Sequence, residues 1–278
     1  MKNKICVVCG GTSGIGFETC RGLARAGAQV ILTGTTQARA EQAAKALPGN
    51  CRGLALDLTD FDSVRGFANR LLAEIDQLDV LIHNAGLVLP KRRTNPQGIE
   101  VTFAVVYLGP FLLTQLLMPL IETGPKTRIV NVASDLHRRA RLDFDDLQCE
   151  KRYNFVRVYA KAELAKVLWT RTLARKLSTE QATVNSLHPG GVRTRIFRHF
   201  RGPLGWLLAL SGLLKMSAAR GAKTSVYLAT SPEVESATGG YFVKCRPTKV
   251  AQAATDEAAA GELWNTSLDL IECVQKIA

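Results

Sequence analysis

An open α/β fold with a mostly parallel sheet is the class this sequence predicts, and three observations predict it. Short apolar runs bounded by turn residues alternate along the whole chain with longer segments of helical period. The runs are apolar throughout rather than at every second residue, as strands covered on both faces must be. The first run leads directly into Gly10-Gly11-Thr12-Ser13-Gly14-Ile15-Gly16, where a helical pattern starts. Together they imply βαβ units in one doubly wound domain over 1–278, with about seven strands and helices on both faces.

Strands are expected at Ile5–Cys9, Gln29–Thr33, Cys51–Leu56, Asp79–His83, Arg128–Ala133, Thr183–Leu187 and Gly240–Val243. Amphipathic helices are expected between them at Gly16–Ala26, Gln37–Ala46, Phe61–Ile75, Phe103–Ile121, Val158–Leu177 and Ala218–Leu228. Pro110 inside the fourth of these is expected to kink it. Pro48-Gly49, Gly124-Pro125 and Pro189-Gly190-Gly191 punctuate the joins, and neither a linker nor an internal repeat interrupts the series.

Pro189–Ser217 is the one long irregular stretch expected. It follows the sixth strand, and ligands of open sheets sit beyond the carboxyl ends of the strands, so it is read as a lid. Its Trp206, Leu207, Leu208, Leu210, Leu213 and Leu214 are flanked by Arg198, Arg201 and Lys215. An apolar substrate pocket, a core-packing helix and a membrane-surface contact all remain open, the last not favoured.

The chain is 278 residues long and 46% apolar, enough for a large core. Its net charge of +12 suits acidic partners, including a phosphate-bearing cofactor. The basic residues are dispersed, with short clusters at Lys91-Arg92-Arg93 and Arg138-Arg139-Ala140-Arg141, so no nucleic-acid arm is expected. The seven cysteines are scattered. Cys6 and Cys9 have CxxC spacing but fall on opposite faces of one strand, so neither a metal site nor a disulfide is expected. Reduced thiols, with a first strand that leaves no room for a signal peptide, point to a cytoplasmic protein. The longest oily stretch, Pro203–Met216, is too short to span a bilayer.

The glycine loop carries the first chemistry. Gly10 permits the tight turn, Gly14 lets backbone approach a pyrophosphate, and Gly16 lets the helix pack on the strand. The helix start then offers free N–H groups and a positive dipole end to phosphates. A glycine motif is weak alone, but here it stands between a strand and a helix at the head of a βαβ series. A Rossmann-type nicotinamide dinucleotide site follows.

Three residues separate Gly10 from Gly14 and one separates Gly14 from Gly16. Asp57-Leu58, Asn84-Ala85-Gly86, Ser134, Tyr159 and Pro189-Gly190 follow in order. In this the chain resembles the short-chain dehydrogenase/reductase family over nearly its whole length. Within that family it looks most like the retinol dehydrogenase branch, through 128–134, Phe144–Tyr153, Leu187-His188-Pro189-Gly190 and Arg198-His199. The resemblance implies that Gly10, Thr12, Ser13, Gly14, Ile15 and Gly16 hold the diphosphate. It implies that Asp57 and Leu58 meet the adenine, and that Asn84, Ala85 and Gly86 support sheet and cofactor. Pro189, Gly190, Val192 and Thr194 are then placed near the carboxamide. It also implies a homodimer or homotetramer built from the two long helices Phe103–Ile121 and Val158–Leu177.

NAD sites usually place an acid at the end of the second strand for the ribose 2′-hydroxyl. Here Leu32-Thr33-Gly34-Thr35-Thr36 carries none, and Thr35, Thr36 and Arg39 are placed to receive a 2′-phosphate. NADP(H) is therefore favoured over NAD(H). The competing reading is that Thr35 only caps the next helix. In the resembling branch an Arg often stands where Thr35 does.

The family's reaction uses a Tyr as acid/base, a Ser to orient the carbonyl or alcohol, and a Lys four residues after the Tyr. An Asn on the preceding helix carries a relay water. Tyr159 and Ser134 match. Glu163 falls at the Lys position and Val106 at the Asn position. Residues i and i+4 share a helix face, so Lys161 points elsewhere, and Lys166 is better placed to pair with Glu163. At ~5 Å and an effective dielectric of ~20, one charge shifts another group by about 3 kcal/mol. An ionised Glu163 would thus raise the Tyr159 pKa, making a poor base for alcohol oxidation and harming carbonyl reduction less. Glu163 is also placed to accept from ribose hydroxyls. Tyr153, His137 and His188 are read as structural or pocket-lining rather than catalytic, and Asp135 as a candidate acid.

Three functions compete. The first is an NADP(H)-dependent oxidoreductase for a lipophilic carbonyl or alcohol, with Tyr159, Ser134 and Glu163 at its centre. The second keeps the cofactor as a scaffold for a cyclisation, isomerisation or elimination. The third is non-catalytic binding.

Overall fold

The computed structural model describes residues 1–192, 196, 199–200, 202 and 216–273. Most of the span read as a lid, Thr194 and the leucines of 206–214 included, lies outside the described residues. In chain order the elements are β1 (Ile5–Cys9), α1 (Gly14–Arg25), β2 (Gln29–Gly34), α2 (Gln37–Lys45), β3 (Cys51–Ala55), α3 (Phe61–Glu74) and β4 (Val80–His83). Then come α4 (Val101–Phe103), a π-helical segment (Ala104–Leu108), α5 (Gly109–Leu116), α6 (Met118–Thr123), β5 (Thr127–Val132) and α7 (Phe155–Lys176). β6 (Ala182–His188), α8 (Ala218–Thr230), β7 (Tyr241–Val243), β8 (Arg246–Pro247) and α9 (Glu257–Cys273) complete them.

The sheet runs β3-β2-β1-β4-β5-β6-β7-β8 and has eight strands. All neighbours pair parallel except β7 and β8. The order reverses between β1 and β4, so the crevice of a doubly wound fold opens there, at the carboxyl ends. The expectation of about seven strands is corrected by β8. Its two residues are joined to β7 through Lys244 and Cys245, both at positive φ. That is hairpin-turn backbone without the Asn-Gly signal that would have announced it.

Strand side chains alternate between two cores. Val7 and Cys9 join a core with α3, the π-helical segment, α5 and α7, whereas Cys6 and Val8 join one with α1, α2 and α8. The CxxC pair is thus divided by the sheet, as its spacing requires. Cys6, Cys9, Cys20, Cys51, Cys149 and Cys245 are free thiols.

The expected helix Phe103–Ile121 is corrected to three pieces. Ala104–Leu108 is π-helical, α5 starts with Pro110 in its first turn, and the chain breaks at Leu117 before α6. The π turn absorbs the hydrogen bond that proline cannot donate. Irregular chain is also not confined to 189–217. Residues 84–100 contain no strand or helix, and 133–154 only the 3₁₀ turns Asp135–Arg139 and Phe144–Asp146. Both follow strand ends and form the rim of the site. Helix α9 was not anticipated. Its Trp264 packs edge-on against Phe111, which in turn meets Trp169 of α7. Such pairs contribute about 0.5–1.5 kcal/mol each beyond their area.

Candidate active site

The crevice between β1 and β4 is lined by backbone. Gly10 has φ +79° and Gly14 φ +59°, left-handed conformations that side chains resist. A Cβ at Gly16 would run into the Gly10 carbonyl and the Asn84 amide, and the Asn84 Nδ2 donates to that carbonyl at 2.9 Å. A Cβ at Gly10 would press on Ala85 at 2.9 Å, whereas one at Gly14 would meet nothing within 4 Å. So the loop is pinned from behind and open in front. Ser13 sits at the N-cap of α1 but its hydroxyl caps nothing, leaving the first-turn amides to an outside acceptor. Thr12 is packed beside Gly34, and Ile15 is buried against Val192 and Ala222. These residues fit the diphosphate of a dinucleotide.

Further along the same edge, Thr35, Thr36 and Arg39 are exposed. Thr36, not Thr35, caps α2, accepting from the Arg39 amide at 3.4 Å. The Thr35 hydroxyl is therefore not used by the cap. Asp57 holds Thr59 through one carboxylate oxygen at 2.8–2.9 Å and Leu58 is buried. Ala85 and Gly86 lie partly exposed after β4, as do Pro189 and Gly190 after β6, where Gly190 has φ +87°. Val192 bridges to Met216.

The second half of the site hangs on α7 and the end of β5. Asn154 caps α7 through the amides of Val156 and Arg157, which starts the helix one turn earlier than its apolar period indicated. Tyr159 and Glu163 then share a face, four residues apart. Ser134 follows β5 and accepts from the Leu136 amide at 3.3 Å. Tyr159 interacts through its hydroxyl with both Ser134 and Glu163. Burial first, then the Glu163 charge, holds that hydroxyl well above the ordinary tyrosine range. This is the direction expected of an acid beside it.

Glu163 and Lys166 are both sealed from solvent and lie 3.5 Å apart. Lys166 Nζ also donates to the Val132 carbonyl at 2.8 Å. Burial raises the Glu163 pKa and lowers that of Lys166, while each partner's charge opposes the other's shift. Val106 is fully buried in the middle of the π-helical segment and brings no polar group. Lys161 does point away, donating to the Asp146 carbonyl at 2.7 Å.

Structural duties account for two of the side residues. Tyr153 donates to the Leu89 carbonyl at 2.9 Å. His137 lies 2.8 Å from the Ser134 carbonyl through Nδ1 and accepts from the Ala251 amide through Nε2, which assigns it the neutral Nδ1–H tautomer. Asp135 belongs to a surface cluster with Arg138 at 3.1 Å, the Tyr241 hydroxyl at 3.1 Å and His188 at 3.9 Å. Its carboxyl is held below the usual range by Arg138 and His188 despite partial burial. Tyr241 went unnoticed in the sequence. Only the pairing of β7 with β6 brings it beside Asp135. Next to this cluster a depression of about 560 Å³ is lined by Asp135, Arg138, Val243, Lys244, Arg246 and Thr248. Among the described residues no His/Cys/Asp/Glu group is arranged to hold a metal, and no helix is long and apolar enough to cross a membrane.

Comparison with known proteins gives the same frame. The model of the short chain dehydrogenase family matches residues 4–203. Human retinol dehydrogenase 14 is 39% identical across 96% of this chain and 86% of its own length. Bovine retinol dehydrogenase 12 is 38% identical with the same two coverages, 96% and 86%. Among solved structures, an uncharacterized protein from Mycobacterium Paratuberculosis superposes with a TM-score of 0.80 at 29% identity, over 98% of this chain and 94% of that one. An oxidoreductase, yciK from E. coli, superposes at 0.69 with 25% identity, over 88% and 96% of the two chains.

Proposed function

Because the chain belongs to the short-chain dehydrogenase family, we propose that it is an NADP(H)-dependent oxidoreductase that reduces a lipophilic carbonyl more readily than it oxidises the alcohol. The observation that carries this reading is the Tyr159 hydroxyl, kept protonated by burial and by Glu163, with Ser134 beside it. A hydroxyl held as an acid donates to a carbonyl oxygen well and removes a proton from an alcohol poorly.

Bound at the glycine loop, the reduced dinucleotide supplies hydride to the substrate carbon. The loop amides and the α1 dipole take its diphosphate, with Asn84 keeping the Gly10 turn closed. Thr35, Thr36 and Arg39 take a 2′-phosphate, since no acid stands at the end of β2 to prefer a hydroxyl. Ser134 orients the carbonyl and Tyr159 donates the proton. The retinol dehydrogenases it resembles support a lipophilic substrate, and the sequence of span 203–214 is rich in leucine. A homodimer or homotetramer in the cytoplasm completes the proposal.

A second reading rests on Glu163 and Val106, which stand where the resembling family keeps Lys and Asn. With both gone, the pocket would run a non-redox step around a bound dinucleotide. Calorimetric titration with NADPH and NADH, followed by hydride-transfer assays on a panel of apolar aldehydes and ketones, separates the two. Preferential NADPH binding with stoichiometric oxidation supports the oxidoreductase. Binding with product formed and no cofactor oxidation supports the second reading.

A further inference from the structure

Glu163 is a carboxyl group in a place where carboxyls are costly. It is sealed from solvent, one helical turn below Tyr159, and its Oε2 has the Lys166 Nζ at 3.5 Å without a well-aligned hydrogen bond. A fully buried carboxyl whose best partner is a loose ion pair calls for an explanation in chemistry rather than packing. Among the described residues its cationic neighbour is Lys166, which the Val132 carbonyl holds in place from the sheet side.

We propose that Glu163 is the proton store behind Tyr159 and that Lys166 is the positioning residue that sets its charge. This rests on the oxidoreductase reading above and adds the route of the proton. Reduction adds hydride to the carbonyl carbon and a proton to its oxygen. That proton leaves the Tyr159 hydroxyl, and the Glu163 carboxylic acid replaces it, ending as a carboxylate paired with Lys166. Between turnovers solvent protons reach Glu163 by way of the partly exposed Tyr159. In oxidation the alcohol proton goes to Tyr159 as the Tyr159 proton goes to the Glu163 carboxylate, and hydride leaves to the oxidised dinucleotide. Tyrosinate, which this site resists, is then never a resting state.

The surroundings leave Glu163 as the group that titrates. From β4, His83 faces Lys166 and is held neutral, its pKa pushed down to about 3 by burial and then by Lys166. From β7, Tyr241 is raised by burial and by Asp135 and stays protonated. The turn after β5 brings Ser134, with neutral His137 and the outward-facing Asp135, Arg138 and His188 beyond it. The π-helical segment brings only Val106 and the buried Tyr107, whose hydroxyl is 2.6 Å from Ser267.

The test reads Glu163 directly, in whole protein without cofactor, from the carboxylic-acid band in pH-difference infrared spectra. The band is expected to titrate above the ordinary carboxylate range and to vanish in Glu163→Gln. In Lys166→Met the midpoint rises by about one pH unit or more, because the carboxylate has lost its cation, and Lys166→Arg restores it. With NADPH and a substrate, kcat for reduction should fall as pH rises through the same midpoint, oxidation should rise, and Glu163→Gln should lose both inflections. The doubly neutral Glu163→Gln/Lys166→Met shows whether any lost activity comes from misfolding. A midpoint unmoved in Lys166→Met, or a pH profile unchanged in Glu163→Gln, overturns the proton store. A wild-type protein whose band behaves as expected but which oxidises no NADPH overturns the oxidoreductase reading instead.

Discussion

The two halves of the crevice are built from opposite materials. At the β1 end the glycine loop presents amides and almost no side chains, and its shape is set by positive φ at Gly10 and Gly14 and by Asn84 tying down the turn. At the α7 end the candidate groups are side chains, and Glu163 and Lys166, an acid and a base 3.5 Å apart, are shut away from water. The first half is shaped by backbone that leaves no room for a side chain at Gly10 or Gly16. The second holds an ion pair that is costly to break by removing one partner. Damage to either half should therefore leave the other nearly untouched.

Tyr159→Phe is the sharpest break. It should lower kcat for carbonyl reduction ~10³-fold while changing NADPH affinity less than about threefold, read by steady-state kinetics and calorimetry. Equal losses in both would mean that the two halves are not separate. Lys166→Met comes next. Leaving Glu163 without its cation should cost about 3 kcal/mol in urea unfolding, and adding Glu163→Gln should recover most of it. No recovery in the double variant would show that Lys166 serves packing rather than charge.

Gly16→Val should act on the opposite half. Pushing a side chain into the Gly10 carbonyl and the Asn84 amide should cost about 1–3 kcal/mol in thermal unfolding and weaken NADPH binding ~10-fold or more. The infrared titration of Glu163 should stay as in the wild type. The last test is a pH slope that touches neither half of the crevice directly. His83 is buried neutral, with its pKa lowered from 6.5 to about 3. Its contribution is complete above pH 6.5 and is lost as pH falls toward 3, where the unfolded chain binds a proton that the folded one does not. Stability should drop by about 1.4 kcal/mol per pH unit through that window. His83→Gln should flatten the slope of urea midpoint against pH, and an unchanged slope would place the acid sensitivity elsewhere.

Much of this was readable before any coordinates. All seven expected strands lie within a residue of those found, because a strand buried on both faces must be apolar at every position. The glycine loop was readable because its requirements are local, namely a strand, a tight turn and a helix start within a few residues. Glu163 and its i+3 partner Lys166 were readable for the same reason, since helical spacing alone brings them together. The parts that stayed hidden are those where backbone or distant strands decide. Pro110 and the apolar run around it gave one helix in sequence, yet it is three pieces, because a π turn can absorb what proline withholds. β8 hid because two residues carry no period and Lys244-Cys245 is no turn signal.

Sequence spacing settles which residues share a strand face or a helix face, for local contacts follow from periods of two and of 3.6. It could therefore announce a dinucleotide loop and an acid beneath the tyrosine. Only the folded sheet decides that Val132 holds Lys166, that Asn84 closes the Gly10 turn, and that Tyr241 stands beside Asp135. Those contacts span 34 to 106 residues of chain, a distance over which no local pattern carries information and the order of strands alone brings partners together.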